Sequence, residues 1–146
     1  MVHLARRSGL PFSVDFRESL IYRFIDLVAV DGSGIVGWLQ GQLEASYREL
    51  IDEGYPSPHA SIMEMVVEPT RRREGIGRGL VVEFVRRARR ERLSAIGLNV
   101  MAGSPKEVDC LVQFYTSLGM QKVYLEAVDQ TRMIGDLNQI CARFST

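Results

Sequence analysis

Residues 68–84 read EPTRRREGIGRGLVVEF: a proline, three arginines in a row, then glycines at 75, 77 and 79 leading into an apolar run. Upstream, ASIMEMVV (60–67) is a mostly apolar stretch of strand length, closed by Pro69, which cannot continue a central strand. Downstream, Ile76, Leu80 and Phe84, with Val81, Val85 and Ala88, recur at spacings of 3, 4 and 7 while the arginines fall largely opposite, which predicts an amphipathic helix over 76–90. LSAIGLNV (93–100) then reads as a second buried strand. Strand, helix, strand in this order is a βαβ crossover, and it decides the fold class.

The turn between first strand and helix places unpaired backbone N–H groups where the helix dipole also favours negative charge. Glycines at 75, 77 and 79 would let a diphosphate approach the main chain itself, because no Cβ holds it away. Arg71, Arg72, Arg73 and Arg78 could add charge-assisted contacts. The plainer reading is a glycine-rich turn capped by solvated arginines. Two phosphate motifs are excluded by spacing. A P-loop needs Lys then Ser or Thr after its second glycine, where this chain has Arg78 and Gly79. A dinucleotide fingerprint would need its third glycine where Leu80 stands.

Outward from this centre, LIYRFIDLVAV (20–30), DGSG (31–34) and IVGWLQGQL (35–43) predict a β-hairpin. EASYRELIDEGYPSPH (44–59) is polar and broken by Gly54, Pro56 and Pro58, which predicts a loop with a short helical turn beside a site. After the loop MAGSPKE, Val108, Leu111, Val112 and Tyr115 share one face of a further helix, with Gly119 placed to stop it. MQKVYLEAV (120–128) reads as a strand and QICARF (139–144) as the final one. The expected fold is α/β, of the α+β kind: one domain over 1–146, with a mixed, mostly antiparallel central sheet, one βαβ crossover and helices on both faces.

The 146 residues are 46% hydrophobic and 25% charged with a formal net charge of zero, ordinary for a folded domain. That balance argues against a general nucleic-acid or acidic-membrane binder. Cys110 and Cys141 are the only cysteines and form no metal motif, so two buried, reduced thiols and no metal site are expected. With no apolar run of spanning length and no secretory h-region, the expected location is the cytoplasm.

Val67-Glu68-Pro69, followed after two residues by Arg72-Arg73-Glu74-Gly75-Ile76-Gly77, resembles the V-x-P and R-x-x-G-x-G signature of the GNAT superfamily of acyl-coenzyme A-dependent N-acyltransferases. The likeness extends over residues 61–100, and QFYTSLGM (113–120) resembles the end of the family's next helix. It implies acetyl-coenzyme A as cofactor. Arg72, Arg73, Glu74, Gly75, Ile76 and Gly77, with Arg78, would wrap its diphosphate, and main-chain groups of Met65 and Val67 would pair with its pantetheine arm like an added strand. A backbone N–H near Val66 or Val67 is the candidate oxyanion donor. The resemblance casts Tyr115 as the acid that protonates the leaving thiolate; its place on an apolar helix face equally suits a core tyrosine. Two departures stand out: Val108 occupies a position where an Asn is frequent, and the segment before the hairpin is short for the two helices many members carry there.

Transfer to an amine also needs a base. Glu64 is the sole acid inside 60–67, and it serves equally well as a solvated or arginine-paired residue. Glu44, Glu53 and His59 are weaker candidates, His59 being expected at the surface beside Pro58. Trp38 and Tyr47 line an acceptor pocket or belong to the core, and Glu44, Glu49, Asp52 and Glu53 suit a cationic amine or form a solvated face. The expected activity is transfer of acetyl from acetyl-coenzyme A to a primary amine by direct attack, a small-molecule acceptor being favoured. The alternatives are protein N-terminal or lysine acetylation, or a non-catalytic coenzyme A sensor. Cys110, close to Tyr115, keeps a covalent route open. No nucleic-acid or membrane partner is expected; a homodimer stays open.

Overall fold

The computed structural model describes residues 2–3, 13–18 and 23–144. Within them eight strands form one sheet in the order β1-β2-β3-β4-β5-β6-β8-β7: β1 (Val2–His3), β2 (Ser13–Glu18), β3 (Phe24–Asp31), β4 (Gly34–Ala45), β5 (His59–Val67), β6 (Ala95–Val100), β7 (Gln121–Leu125) and β8 (Gln130–Asp136). Every neighbouring pair is antiparallel except β5 and β6. That parallel pair is joined by α2 (Ile76–Arg90), as the crossover predicts.

Helix α2 lies on one face of the sheet because its apolar stripe demands it: Ile76, Leu80, Val81, Phe84, Val85 and Ala88 are all buried. The strand beneath is built to receive it. Gly37 and Gly41 on β4 present bare backbone to the helix, where a Cβ would sit 2.8 Å from Ile76 Cγ2 and 2.2 Å from Phe84 Cε1 respectively. Helices α3 (Pro105–Ser117) and α4 (Leu137–Phe144) join α2 over the same core, which runs through Leu39, Ile96, Leu118, Met133 and Ile140. α3 begins where Ser104 Oγ accepts the Glu107 N–H at 3.2 Å with Pro105 in the first turn, and it ends at Gly119 with φ of 104°. The opposite face carries the short α1 (Arg48–Asp52) over a second cluster of Tyr47, Leu50, Ala95 and Ile134.

Three sequence expectations need correction. QICARF is helical, within α4, because Leu137, Ile140 and Cys141 recur at helical spacing and bury one stripe against the sheet. The last strand is instead β8, whose Met133 and Ile134 face the two cores in turn. Strand β7 stops at Leu125, and residues 126–128 form a 3-10 turn. Cys110 is exposed on α3, so only Cys141 is a buried thiol. The segment between β4 and β5, containing α1, supplies a wall on the face opposite α2.

Candidate active site

Strands β5 and β6 hold together over only two register pairs, Ala60 with Ile96 and Ser61 with Gly97. Beyond them the strands separate. Residues 62–67 of β5 run on for about 20 Å with no β6 partner alongside. This leaves a wedge-shaped split in the sheet, one wall of which carries main-chain groups without a ladder partner. Beside the split the ladder with β4 skips one residue: Gln40 faces Glu64 and Gly41 faces Ile62, so Met63 is the extra residue of a β-bulge. The bulge makes Met63 and Glu64 consecutive exposed residues.

Register assigns the side chains of β5 to faces. Met65 and Val67 oppose Leu39 and Gly37, on the α2 side; Glu64 and Val66 oppose Gln40 and Trp38, on the other. Glu64 thus stands on the face where Trp38 Nε1–H donates to Asp26 Oδ1 at 3.1 Å and where Val66 is 49% exposed. It forms no ion pair among the described residues. Tyr115 approaches from the opposite side. Its ring is 4% exposed in the α2–α3 core, edge-on to Phe114 at 5.0 Å, and burial pushes its phenol up to about 12. The hydroxyl has no hydrogen-bond partner among the described residues, yet it is absent from the sealed, unpartnered polar atoms, so it meets open space.

The wide end of the split opens beneath the start of α2. After the 3-10 turn Pro69–Arg71 the chain is extended at Arg72, then left-handed at Arg73 (φ 67°) and at Gly75 (φ 84°), the helix N-cap. Left-handed residues in such a turn line successive N–H groups along a concave surface. Among the described residues no side chain caps the first turn of α2, which leaves its amides as donors. The glycines fit an anion here: a Cβ on Gly75 would meet nothing within 4 Å, and one on Gly77 would point between Met65 Cε, Val67 Cγ2 and Phe114 Cζ, at 3.5, 3.6 and 3.7 Å. The start of α2 therefore lies directly against the unpaired end of β5.

The arginines divide by role. Arg71 is committed to structure, with Nη1–H donating to Asp31 Oδ2 and Nε–H to Glu74 Oε1 at 2.9 Å. Hydrogen bonds from Ser33, then from Arg71, hold the Asp31 carboxyl down at about 2. Arg72 and Arg73 are exposed and make no ion pair among the described residues, which leaves them for an anion. Arg78 lies 4.5 Å over the Phe144 ring of α4.

At the narrow end His59 corrects another expectation: it is fully buried. Its Nδ1 accepts the Tyr47 N–H at 3.0 Å, which leaves Nε2, 2.9 Å from the Tyr55 carbonyl, as donor. The histidine pins both ends of the α1 segment and stays out of the split. The Tyr47 hydroxyl hydrogen-bonds Ser61, and Glu49 pairs with Arg132. Arg132, Asn99 and Ser61 carry no motif that sequence reading could detect, and residues 130–136 show no clean strand period. Glu44 and Glu53 are exposed and enter no contact with these groups. Among the described residues no group of side chains could hold a metal, and no helix is long and apolar enough to cross a membrane.

Comparison with known proteins bears on the fold and the family. The fold is similar to that of the PaiA N-acetyltransferase from Thermoplasma acidophilum in complex with coenzyme A (TM-score 0.59, 14% identity, 77% of this chain and 60% of that one). It is also similar to the AtaT toxin bound to the C-terminus of its antitoxin AtaR and acetyl-CoA (0.65, 11%, 84% and 74%) and to the KacTA–DNA complex (0.63, 14%, 83% and 72%). No curated protein matches the chain. The model of the acetyltransferase (GNAT) family matches residues 10–120, well over half the sequence, and the chain belongs to that family.

Proposed function

We propose that this chain transfers an acetyl group from acetyl-coenzyme A to the primary amine of a small molecule, by direct attack with both substrates bound. The observation that carries this reading is that the donor-rich start of α2 lies against the end of β5 that has no β6 partner. The cofactor supplies an activated thioester; everything else falls to the chain. Backbone N–H groups from Arg72 through Glu74, Gly75, Ile76 and Gly77 to Arg78 hold the diphosphate, with the free guanidinium groups adding charge. Met65 and Val67 offer main-chain groups to the arm along the unpaired edge of β5, and an amide near Val66 or Val67 faces the carbonyl oxygen as charge develops.

Glu64 and Tyr115 reach the split from opposite faces of the sheet, which suits a base and an acid acting on different atoms. Glu64, exposed at the bulge, removes the amine's proton directly or through water. Tyr115 keeps its own proton at neutral pH, since its phenol lies near 12, and gives it to the departing thiolate. The α1 segment, standing over the narrow end, favours a compact amine over a protein chain. Acids Asp26 and Glu64 on that side suit an acceptor that arrives as a cation, the charge of Glu49 being taken up by Arg132. We place this activity in a single domain in the cytoplasm, with no nucleic-acid partner.

Release of free thiol from acetyl-coenzyme A in the presence of a panel of amines and peptides tests the reading. Turnover with small amines is expected. Tight cofactor binding without release on any acceptor would instead mark a sensor module, and release only with peptides would mark a protein acetyltransferase.

A further inference from the structure

On the α1 face the inner end of the split is closed by one side chain. Ser61 and Gly97 are the last residues paired across β5 and β6, and Tyr47 spans both. Its ring lies on Gly97, where a Cβ would come within 2.7 Å of Cδ2 and Cε2, and its hydroxyl hydrogen-bonds the buried Ser61. On the opposite face the end is shut by the core side chains Ile62, Ile96 and Leu98. Resting on the reading of the split as the place of the cofactor's arm, we propose that Tyr47 sets the upper length of the acyl group that the chain accepts.

The stop is held firmly. The Tyr47 N–H is bound by His59 at 3.0 Å, and the Arg132 guanidinium stacks on the ring at 4.9 Å. Arg132 is itself fixed by Glu49 at 2.5 Å and, through Nε–H, by Asn99 Oδ1 at 2.8 Å. A ring restrained on its edge, its face and its main chain cannot swing aside cheaply. An arm entering from the α2 end, past Val67, points its acyl group towards this ring. A two-carbon group stops short of it, and a longer chain must displace it.

Calorimetric titration of the full chain with coenzyme A, acetyl-coenzyme A and hexanoyl-coenzyme A tests this without knowledge of the acceptor. The wild type should bind the hexanoyl form at least about tenfold more weakly than the acetyl form, the penalty that a misfit of one methylene or more commands in a shaped pocket. Tyr47→Ala should largely erase that gap, whereas Tyr47→Phe, which keeps the ring, should preserve it. Tyr47→Leu offers a second shortened side chain with the apolar contact retained, and thermal unfolding checks that each variant folds. Equal wild-type affinity for the two acyl forms, or a gap unchanged in folded Tyr47→Ala or Tyr47→Leu, would overturn the proposal. Failure of the wild type to bind coenzyme A in any form would overturn the cofactor reading as well, an outcome distinct from loss of discrimination alone.

Discussion

The guanidinium of Arg71, at the head of the cradle, is hydrogen-bonded to the carboxylate of Asp31, at the tip of the β3–β4 hairpin forty residues earlier. A second carboxylate, Glu74, holds the other edge of the same guanidinium. The hairpin turn thus anchors the main chain that must present its N–H groups in one fixed arrangement. Asp31→Asn should weaken coenzyme A binding several-fold while leaving turnover at saturation nearly unchanged. The same pair has a pH signature. Because the Asp31 carboxyl is lowered from 3.8 to about 2 in the fold, its stabilisation is complete above about pH 4 and is lost as pH falls towards 2. Acid unfolding curves of wild type and Asp31→Asn should diverge above that window and converge below it.

Gly77 separates binding from folding. A methyl group there finds ordinary contact distances of 3.5 to 3.7 Å, and glycine inside a helix costs roughly 0.5–1 kcal/mol relative to alanine. Gly77→Ala should therefore leave the thermal midpoint unchanged or raised, while lowering coenzyme A affinity about tenfold or more. A fall in stability together with unchanged affinity would place Gly77 in the packing rather than the cradle.

Tyr115→Phe should lower kcat by about a hundredfold, the order expected for loss of a general acid, with little change in cofactor affinity. Stability should hold at neutral pH, since the hydroxyl has no hydrogen-bond partner to lose among the described residues. At alkaline pH the variants part. The folded phenol lies near 12 against 10.0 in the unfolded chain, so the tyrosine's contribution is complete below pH 10 and fades as pH rises towards 12. The phenylalanine variant should lack that decline.

Gly41→Ala tests how closely α2 sits on the sheet. With a Cβ placed 2.2 Å from Phe84 Cε1, the helix or the ring must move, a loss of about 1–3 kcal/mol on chemical denaturation. Gly32→Ala, where nothing lies within 4 Å, is the matched control and should be close to neutral.

The parts legible in the sequence were those with their own period or punctuation. α2 shows its boundaries through the glycine turn and the 3, 4, 7 spacing, and the hairpin shows through Asp31 to Gly34. QICARF failed because six residues with two apolar pairs fit either period, and its true partner stripe begins at Leu137, outside the window. β8 was hidden because Thr131, Arg132 and Gly135 break its apolar alternation; Arg132 serves the Tyr47 corner instead. His59 read as a surface residue because a histidine beside a proline shows no sign of the two main-chain groups it binds. The split itself is a property of register: nothing in HASIMEMVV or AIGLNV tells where two parallel strands stop pairing. Sequence thus located the glycine turn and the start of α2, and only the fold could show where β5 and β6 part and that Tyr47 lies at that point.

Hydrogen–deuterium exchange of the full chain with and without acetyl-coenzyme A tests the central claim most directly, because it reads backbone N–H groups themselves. The account predicts added protection in two segments together, 62–67 along the unpaired edge of β5 and 72–80 through the start of α2, with β2 and β3 unaffected. Binding that protects neither segment, or only regions away from the split, would contradict it.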